Sequence, residues 1–261
     1  MKSSNHWYTR AGAACYEVPY KDPSKGMRST TLADARKLNL LPSVTTITKV
    51  LAAPSLIEWL RREAAIAAVT TPRLHAETDD AFVDRVLAVD AESVADAAKQ
   101  LGSDIHDAIE RGLNASGYRD DLSQFVVPAI KSVVAFGRVS ATEKILVGDG
   151  YAGKTDCITE ADHFFTVWDF KTTGAKVLPS KSYPEHRLQL AACAAALGNT
   201  GTKQIITRNI YISTTRPGEI RVVENPDWQI DFAVFQMVCK IWQWQNNYQP
   251  APTPDDGEVT P

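Results

Sequence analysis

The feature that most limits how this chain can fold is a run of three strand-like segments joined by hairpin-length turns. Residues 143–147, 151–159 and 164–171 are rich in β-branched and aromatic side chains, and Gly148-Asp149-Gly150 and Ala161-Asp162-His163 separate them. Connections this short suit antiparallel neighbours, because parallel strands need a crossover of a dozen residues or more. Next comes Ser182-Tyr183-Pro184-Glu185, which reads as a capping box with proline inside the first turn of an alanine-rich helix ending near Leu197. Strands over 204–213 and 219–224 follow. A last helix runs from about Trp228, with Asp227 as its N-cap, to about Asn246.

The first half has a different period. Residues 1–20 alternate loosely around Gly12 and read as a β-hairpin. Thr31 and Asp34 have capping-box spacing for a short helix through Lys37 that ends before Pro42. Residues 43–48 and the segment from Pro54 open two more helices, the latter with Leu56, Trp59, Leu60 and Ala64 on one face. Helical patterns continue over 79–90, 92–114 and 121–137. The tail, 249–261, is rich in proline and acidic residues and reads as disordered. The order of elements predicts an α/β protein, a mixed β-sheet flanked by helices with a helical N-terminal region. We divide it into a hairpin and helical region (1–90), a core (91–248) and the tail (249–261).

Composition narrows the classes of function. A hydrophobic content of 44% with 23% charged residues is ordinary for a soluble globular protein. The net charge of −3 gives no global signature of a nucleic-acid binder, so such a role would need a local basic groove. Cys15, Cys157, Cys193 and Cys239 are scattered, with no CxxC pair, which predicts neither zinc nor an iron–sulfur cluster. Dispersed cysteines and a polar N-terminus point to a cytoplasmic protein, and the apolar runs are too short for a membrane span.

The chemistry concentrates in two strands. Asp169 and Lys171, in Trp168-Asp169-Phe170-Lys171, share one strand face because side chains alternate with period two. Opposite charges there are costly to bury unless they pair or bind something, although an exposed strand end with an ordinary ion pair has the same pattern. Asp156 lies on the preceding strand, in Gly153-Lys154-Thr155-Asp156, and a tight hairpin would set it beside Asp169. Two adjacent carboxylates repel unless a cation lies between them. Hard oxygen ligands with open positions suit one or two Mg²⁺ or Mn²⁺ ions, which take phosphate oxygens and activate water. Lys171 would orient or deprotonate that water.

Gly-x-x-Asp followed by Asp-x-Lys on adjacent strands resembles the PD-(D/E)XK nuclease superfamily, with Asp156 as its first acid and Asp169 and Lys171 as its second acid and lysine. Leu101-Gly102-Ser103-Asp104-Ile105-His106 is similar to the glycine-then-histidine motif of the RecB-like branch. Glu143 matches its first-strand acid, and Gln189 matches the glutamine on the helix after the lysine strand. Leu41-Pro42-Ser43-Val44-Thr45-Thr46-Ile47 and Leu56-Ile57-Glu58-Trp59 resemble the N-terminal region of mitochondrial genome maintenance exonucleases and related phage exonucleases. The likeness covers about residues 40–195.

The resemblance implies a restriction-endonuclease-like core whose N-terminal region forms one wall of a DNA channel. The implied activity is metal-dependent exonucleolytic cleavage of DNA with single-stranded or free ends, in phage or prophage recombination, replication or repair. The setting is then the cytoplasm of a bacterial host, and a single-strand annealing or binding protein is a possible partner. An endonuclease or flap nuclease with the same site, or a DNA-binding protein that kept the fold without catalysis, is the alternative. His106, Asp156, Asp169 and the Phe170 main-chain carbonyl are the implied metal ligands, and Glu143 and Gln189 complete the catalytic set. Two departures stand out: Cys193 occupies the place of a frequent tyrosine, and the cluster-binding cysteines of some relatives are missing.

Several residues have two readings. Ser43, Thr45 and Thr46 serve either phosphate contact or helix capping. Glu143 either binds metal through water or pairs with Lys144 or an arginine. Arg61, Arg62, Lys176, Lys181 and Arg187 either track a phosphodiester backbone or are ordinary surface charge. Trp242, Trp244 and Tyr248 either stack bases or pack in the core, and packing is the expectation. Glu110 shares a helical face with His106 but is read as outside the ligand set.

Overall fold

The computed structural model describes residues 6–51, 54–198 and 200–251, and within these leaves aside the side chains of residues 23, 54–56, 58–60, 63 and 88–98. In chain order the elements are β1 (Trp7–Tyr8), β2 (Glu17–Pro19), β3 (Met27–Ser29), α1 (Leu32–Leu38), β4 (Leu41–Pro42) and α2 (Val44–Thr48). Then come α3 (Pro54–Thr70), α4 (Asp79–Leu113), α5 (Ser123–Val134), β5 (Arg138–Gly148), β6 (Tyr151–Glu160) and β7 (Phe164–Thr173). The chain continues through α6 (Pro184–Leu197), β8 (Gln204–Ser213), β9 (Ile220–Glu224) and α7 (Trp228–Asn246). Two compact units result, one of Met1–Leu51 with Ala108–Pro261 and one of Ala52–Asp107, a division drawn differently from the sequence boundary at residue 90.

The first unit is built on a five-stranded mixed sheet in the order β5-β6-β7-β8-β9. β5, β6 and β7 form the antiparallel meander that their short turns require. β7 and β8 are parallel, and α6 lies in the crossover between them. Alternation sorts the faces. Ile158 and Val167 are cross-strand partners and pack with Leu190 and Cys193 of α6. Trp168 points the other way, onto Phe136 just after α5, with the Arg208 guanidinium 3.8 Å above the Phe136 ring. A second apolar cluster joins Trp7, Ala35, Val44, Ile47, Tyr151, Leu188, Phe235 and Trp242, so α1, α2, α6 and α7 close over one end of β6.

The N-terminal pairing differs from a simple hairpin. A turn at Thr9–Ala13 brings Tyr8 to a bridge with Ala14, but the ladder partner of Trp7–Tyr8 is Leu41–Pro42, and Glu17–Pro19 pairs with Met27–Ser29. Trp7 is fully buried, so this long-range pairing serves the core rather than the local turn. The Thr31–Asp34 capping box is present, and α1 ends on Asn39 in the left-handed conformation. The Ser182 box does not form. Tyr183 is the N-cap and makes no side-chain cap bond, because the Ser182 hydroxyl donates to Asn209 at 2.6 Å instead. Asp227 is the N-cap of α7 but makes no cap bond through its side chain. The tail begins tethered, since Ala251 N–H donates to Asn39 at 3.0 Å and its carbonyl accepts from Arg10. Residues 252–261 of the expected disordered tail lie outside the described residues.

The second unit holds α3 and most of α4. Segments 79–90 and 92–114 are one continuous helix, because Asp90-Ala91-Glu92 contains no glycine or proline to interrupt it. The side chains of Leu56, Trp59 and Leu60, expected on one face of α3, lie outside the described residues. No helix among the described residues is long and apolar enough to cross a membrane.

Candidate functional site

The site forms where the ladder between β6 and β7 stops. Regular pairing runs from Glu160↔Phe165 to Cys157↔Trp168. Asp156 and Asp169 are the next residues on each strand, and both follow the parity of Ile158 and Val167, facing α6. Two acidic side chains replace the next apolar pair, and side-chain hydrogen bonds replace the ladder. The Thr155 hydroxyl donates to the Trp168 carbonyl at 2.8 Å, and Phe170 N–H donates to Asp156 Oδ2 at 2.5 Å. A strand residue points its N–H and C=O to the same side, so the Phe170 carbonyl also faces the β6 edge.

Asp169 is 2% exposed and is held from two sides. Lys171 Nζ donates to its Oδ1 at 2.8 Å, and Asn209 Nδ2 donates to its Oδ2 at 2.7 Å. Asn209, fully buried on β8, accepts in turn from the Ser182 hydroxyl at 2.6 Å and from Asn225 at 3.3 Å. Lys171 Nζ also donates to Gln189 Oε1 of α6 at 3.2 Å. Burial alone would lower the Lys171 pKa, but the Asp169 and Asp156 carboxylates outweigh it and hold the amine above its ordinary value as a cation. His186, one turn before Gln189, meets the Tyr211 hydroxyl at 2.9 Å, and burial with the nearby Lys171 charge pushes its pKa down to about 3. It is a neutral imidazole.

Asp156, Asp169, Lys171 and Gln189 line a cavity of about 220 Å³ with Gly153, Lys154, Ser43, Val44, Thr45, His6, Tyr8 and Tyr16. Gly153 is required there. A Cβ at that position would lie 2.8 Å from Cys193 Sγ and 3.0 Å from Val44 Cγ2, so α6 and α2 reach β6 only because the side chain is absent. Cys193, at the position of the resembled family's tyrosine, is thus a packing residue whose thiol burial pushes up, with Asp169 and Asp156 adding to the effect.

The other sequence candidates are placed as follows. Glu143 has φ +47° and its carboxylate pairs with Lys154; it does not line the cavity, because the turned backbone aims it at that amine. Ser43 caps α2, accepting from Thr46 N–H at 3.0 Å, so the capping reading holds for this residue, which also lines the cavity with Thr45. Arg187 is bidentate to Asp231 of α7, at 2.7 and 3.0 Å, which ties two helices together. Trp242 and Tyr248 are core residues, and Trp244 is 80% exposed. His106, half-buried on α4, and the exposed Arg61 and Arg62 on α3 belong to the second unit. Lys176 and Lys181 are exposed.

Sequence reasoning missed Asn209, Ser182 and Asn225, and it missed Lys154, His6, Tyr8 and Tyr16 as cavity residues. An asparagine just before Ile210-Tyr211-Ile212, within a strand-like stretch that begins at Ile205-Ile206, was the available signal for the first. No family model matches the chain, and no curated protein matches it. Among solved structures, one described as "Crystal structure of SSO0001" is similar with a TM-score of 0.33 and 17% identity, over 65% of this chain and 67% of that one. A likeness at that level carries no argument about fold or activity.

Proposed function

We propose that the protein is a metal-dependent deoxyribonuclease with a restriction-endonuclease-like core, acting exonucleolytically on DNA with free or single-stranded ends. The observation that carries this reading is the meeting of Asp156, Asp169, Lys171 and Gln189 on the wall of one small cavity. The donor set fits a hard divalent cation: two carboxylates and the Phe170 carbonyl offer oxygen only and leave positions for water and substrate, as Mg²⁺ or Mn²⁺ demands. Among the described residues no three His, Cys, Asp or Glu side chains form a metal cluster; Asp156 and Asp169 are the acids that line the cavity.

Bound by Asp156, Asp169 and the Phe170 carbonyl, such an ion would offset the charge that develops on the phosphate. The remaining roles belong to the chain. Asn209 fixes the rotamer of Asp169 from the buried side. Lys171, charged and held between Asp169 and Gln189, orients water and stabilises the anionic transition state electrostatically. The test is degradation of end-labelled linear DNA by purified protein in Mg²⁺ or Mn²⁺ and in EDTA. We expect shortening of linear strands with metal, none in EDTA, and intact covalently closed circles. Inertness toward every DNA form in either metal refutes the proposal, and cutting of closed circles refutes its exonuclease part.

A further inference from the structure

The cavity has a second wall that metal and phosphate chemistry leave without a task. His6 and Tyr16 stack with centroids 4.5 Å apart and planes inclined by 28°, and both line the cavity that holds Asp156 and Asp169. Tyr16 is fixed from behind, since its hydroxyl donates to Tyr8 at 2.9 Å and its ring meets Tyr8 edge-on with centroids 5.6 Å apart. Tyr8 is 2% exposed, so this backing belongs to the core. A ring immobilised before binding loses little freedom when a ligand stacks on it. Aromatic platforms of this kind accept any nucleobase, because every base has a π-face.

Size and charge narrow the occupant. At about 220 Å³ the cavity is smaller than the roughly 300 Å³ at which pockets for whole small-molecule ligands begin, so it suits one unit of a longer chain. Its polar lining pairs carboxylates with two amines, Lys154 and Lys171, and the hydroxyls of Ser43 and Thr45. A hydrophobic ligand would take water from these charged and hydroxyl groups and offer no hydrogen bond in return. A nucleotide unit meets both walls at once, with its phosphodiester on the Asp156, Asp169 and Lys171 side and its base against the aromatic pair.

We infer that His6 and Tyr16 form a nucleobase subsite that receives one unpaired nucleotide at the end of a single strand. This rests on the nuclease reading for the chemistry of Asp156, Asp169 and Lys171 in the same cavity and adds the substrate feature that the site selects. A base paired within a duplex cannot reach such a platform without leaving its stack, so the subsite favours unpaired ends over blunt ones.

The test uses the full chain carrying Lys171→Ala, in Mg²⁺, titrated into a single-stranded oligonucleotide with terminal 2-aminopurine, whose fluorescence is quenched by stacking. Wild-type protein in EDTA serves as a second measurement. We expect quenching on binding, affinity about tenfold weaker in His6→Ala and in Tyr16→Leu, and near-parental affinity in Tyr16→Phe, which keeps the ring. His6 is exposed, so its variant keeps the test decisive if Tyr16→Leu folds poorly. Unchanged quenching and affinity in His6→Ala, or no quenching at all, overturns the subsite. Metal-dependent cleavage by wild type with undiminished quenching in both aromatic variants overturns this inference alone. Quenching that depends on His6 and Tyr16, without cleavage in any metal, upholds the subsite and overturns the nuclease reading.

Discussion

Replacing Gly153 with alanine tests the packing that builds the site, and the structure gives the sign. Two effects oppose each other. Alanine in a strand interior gains about 0.5–1 kcal/mol over glycine from reduced chain entropy in the unfolded state. The added Cβ, however, falls 2.8 Å from Cys193 Sγ and 3.0 Å from Val44 Cγ2, and both side chains are buried at 2% and 1% exposure. Neither is the loose end of a long side chain. Overpacking of this kind costs about 1–3 kcal/mol, so the clash wins and the net loss is about 1–2 kcal/mol. For a domain of this size each kcal/mol moves Tm by about 2–4 °C. Thermal unfolding followed by circular dichroism should therefore show a drop of about 5 °C. Adding Cys193→Ala removes one of the two obstructing atoms, so the double variant should lose less than the two single losses together, by about 0.5 kcal/mol or more. On the proposed nuclease reading, DNA cleavage should suffer more than stability, because Gln189 sits one turn before Cys193 and Ser43 and Thr45 flank Val44. A Gly153→Ala protein as stable as wild type, or strictly additive losses in the double variant, would refute the reasoning.

Further outcomes follow from the polar groups behind the site. Asn209→Leu keeps the volume but strips Asp169 Oδ2 of its buried donor and leaves Ser182 and Asn225 without their acceptor. We expect a loss of about 3 kcal/mol, seen as a lower urea midpoint with an unchanged m-value. His186 is neutral in the fold with its pKa depressed to about 3, so its contribution is complete above its unfolded pKa of about 6.5 and is lost as pH falls toward 3. Wild-type stability should fall through that window by about 1.4 kcal/mol per pH unit more steeply than that of His186→Gln, and parallel pH profiles would contradict this assignment. Tyr248 donates to the carbonyls of Ala35 at 3.0 Å and Leu40 at 2.7 Å. Tyr248→Phe should cost about 1–2 kcal/mol in chemical unfolding, and a neutral effect would show that this tether is not needed.

The sequence was informative where a single period decides geometry. Asp169 and Lys171 had to share a face because they are two apart on a strand, and the contact at 2.8 Å is the consequence. Asp156 was legible because its separation from Asp169 fits a tight hairpin, and the observed 157–168 register leaves it next in line opposite Asp169. Asn209 was hidden because its partner is 40 residues away on a parallel neighbour, where no local spacing records the pairing. Tyr8 does bridge Ala14 across the local turn that the alternation around Gly12 suggests, but its ladder partner was hidden for the same reason, since Leu41–Pro42 lies beyond two intervening strands and a helix. Ser182 shows a different limit. A hydroxyl before a helix can cap it or reach elsewhere, and here the buried acceptor on Asn209 outcompeted the cap. For Glu143, a positive φ turned the carboxylate toward Lys154, which strand alternation alone cannot foresee.

The most direct test of the central claim compares wild type with Lys171→Ala on a labelled linear single strand in Mn²⁺, with Mn²⁺ affinity measured on the same two proteins. The account predicts that the variant still folds and still binds the ion through Asp156 and Asp169, while cleavage falls by about a hundredfold or more. A Lys171→Ala protein that degrades DNA at the wild-type rate would contradict it.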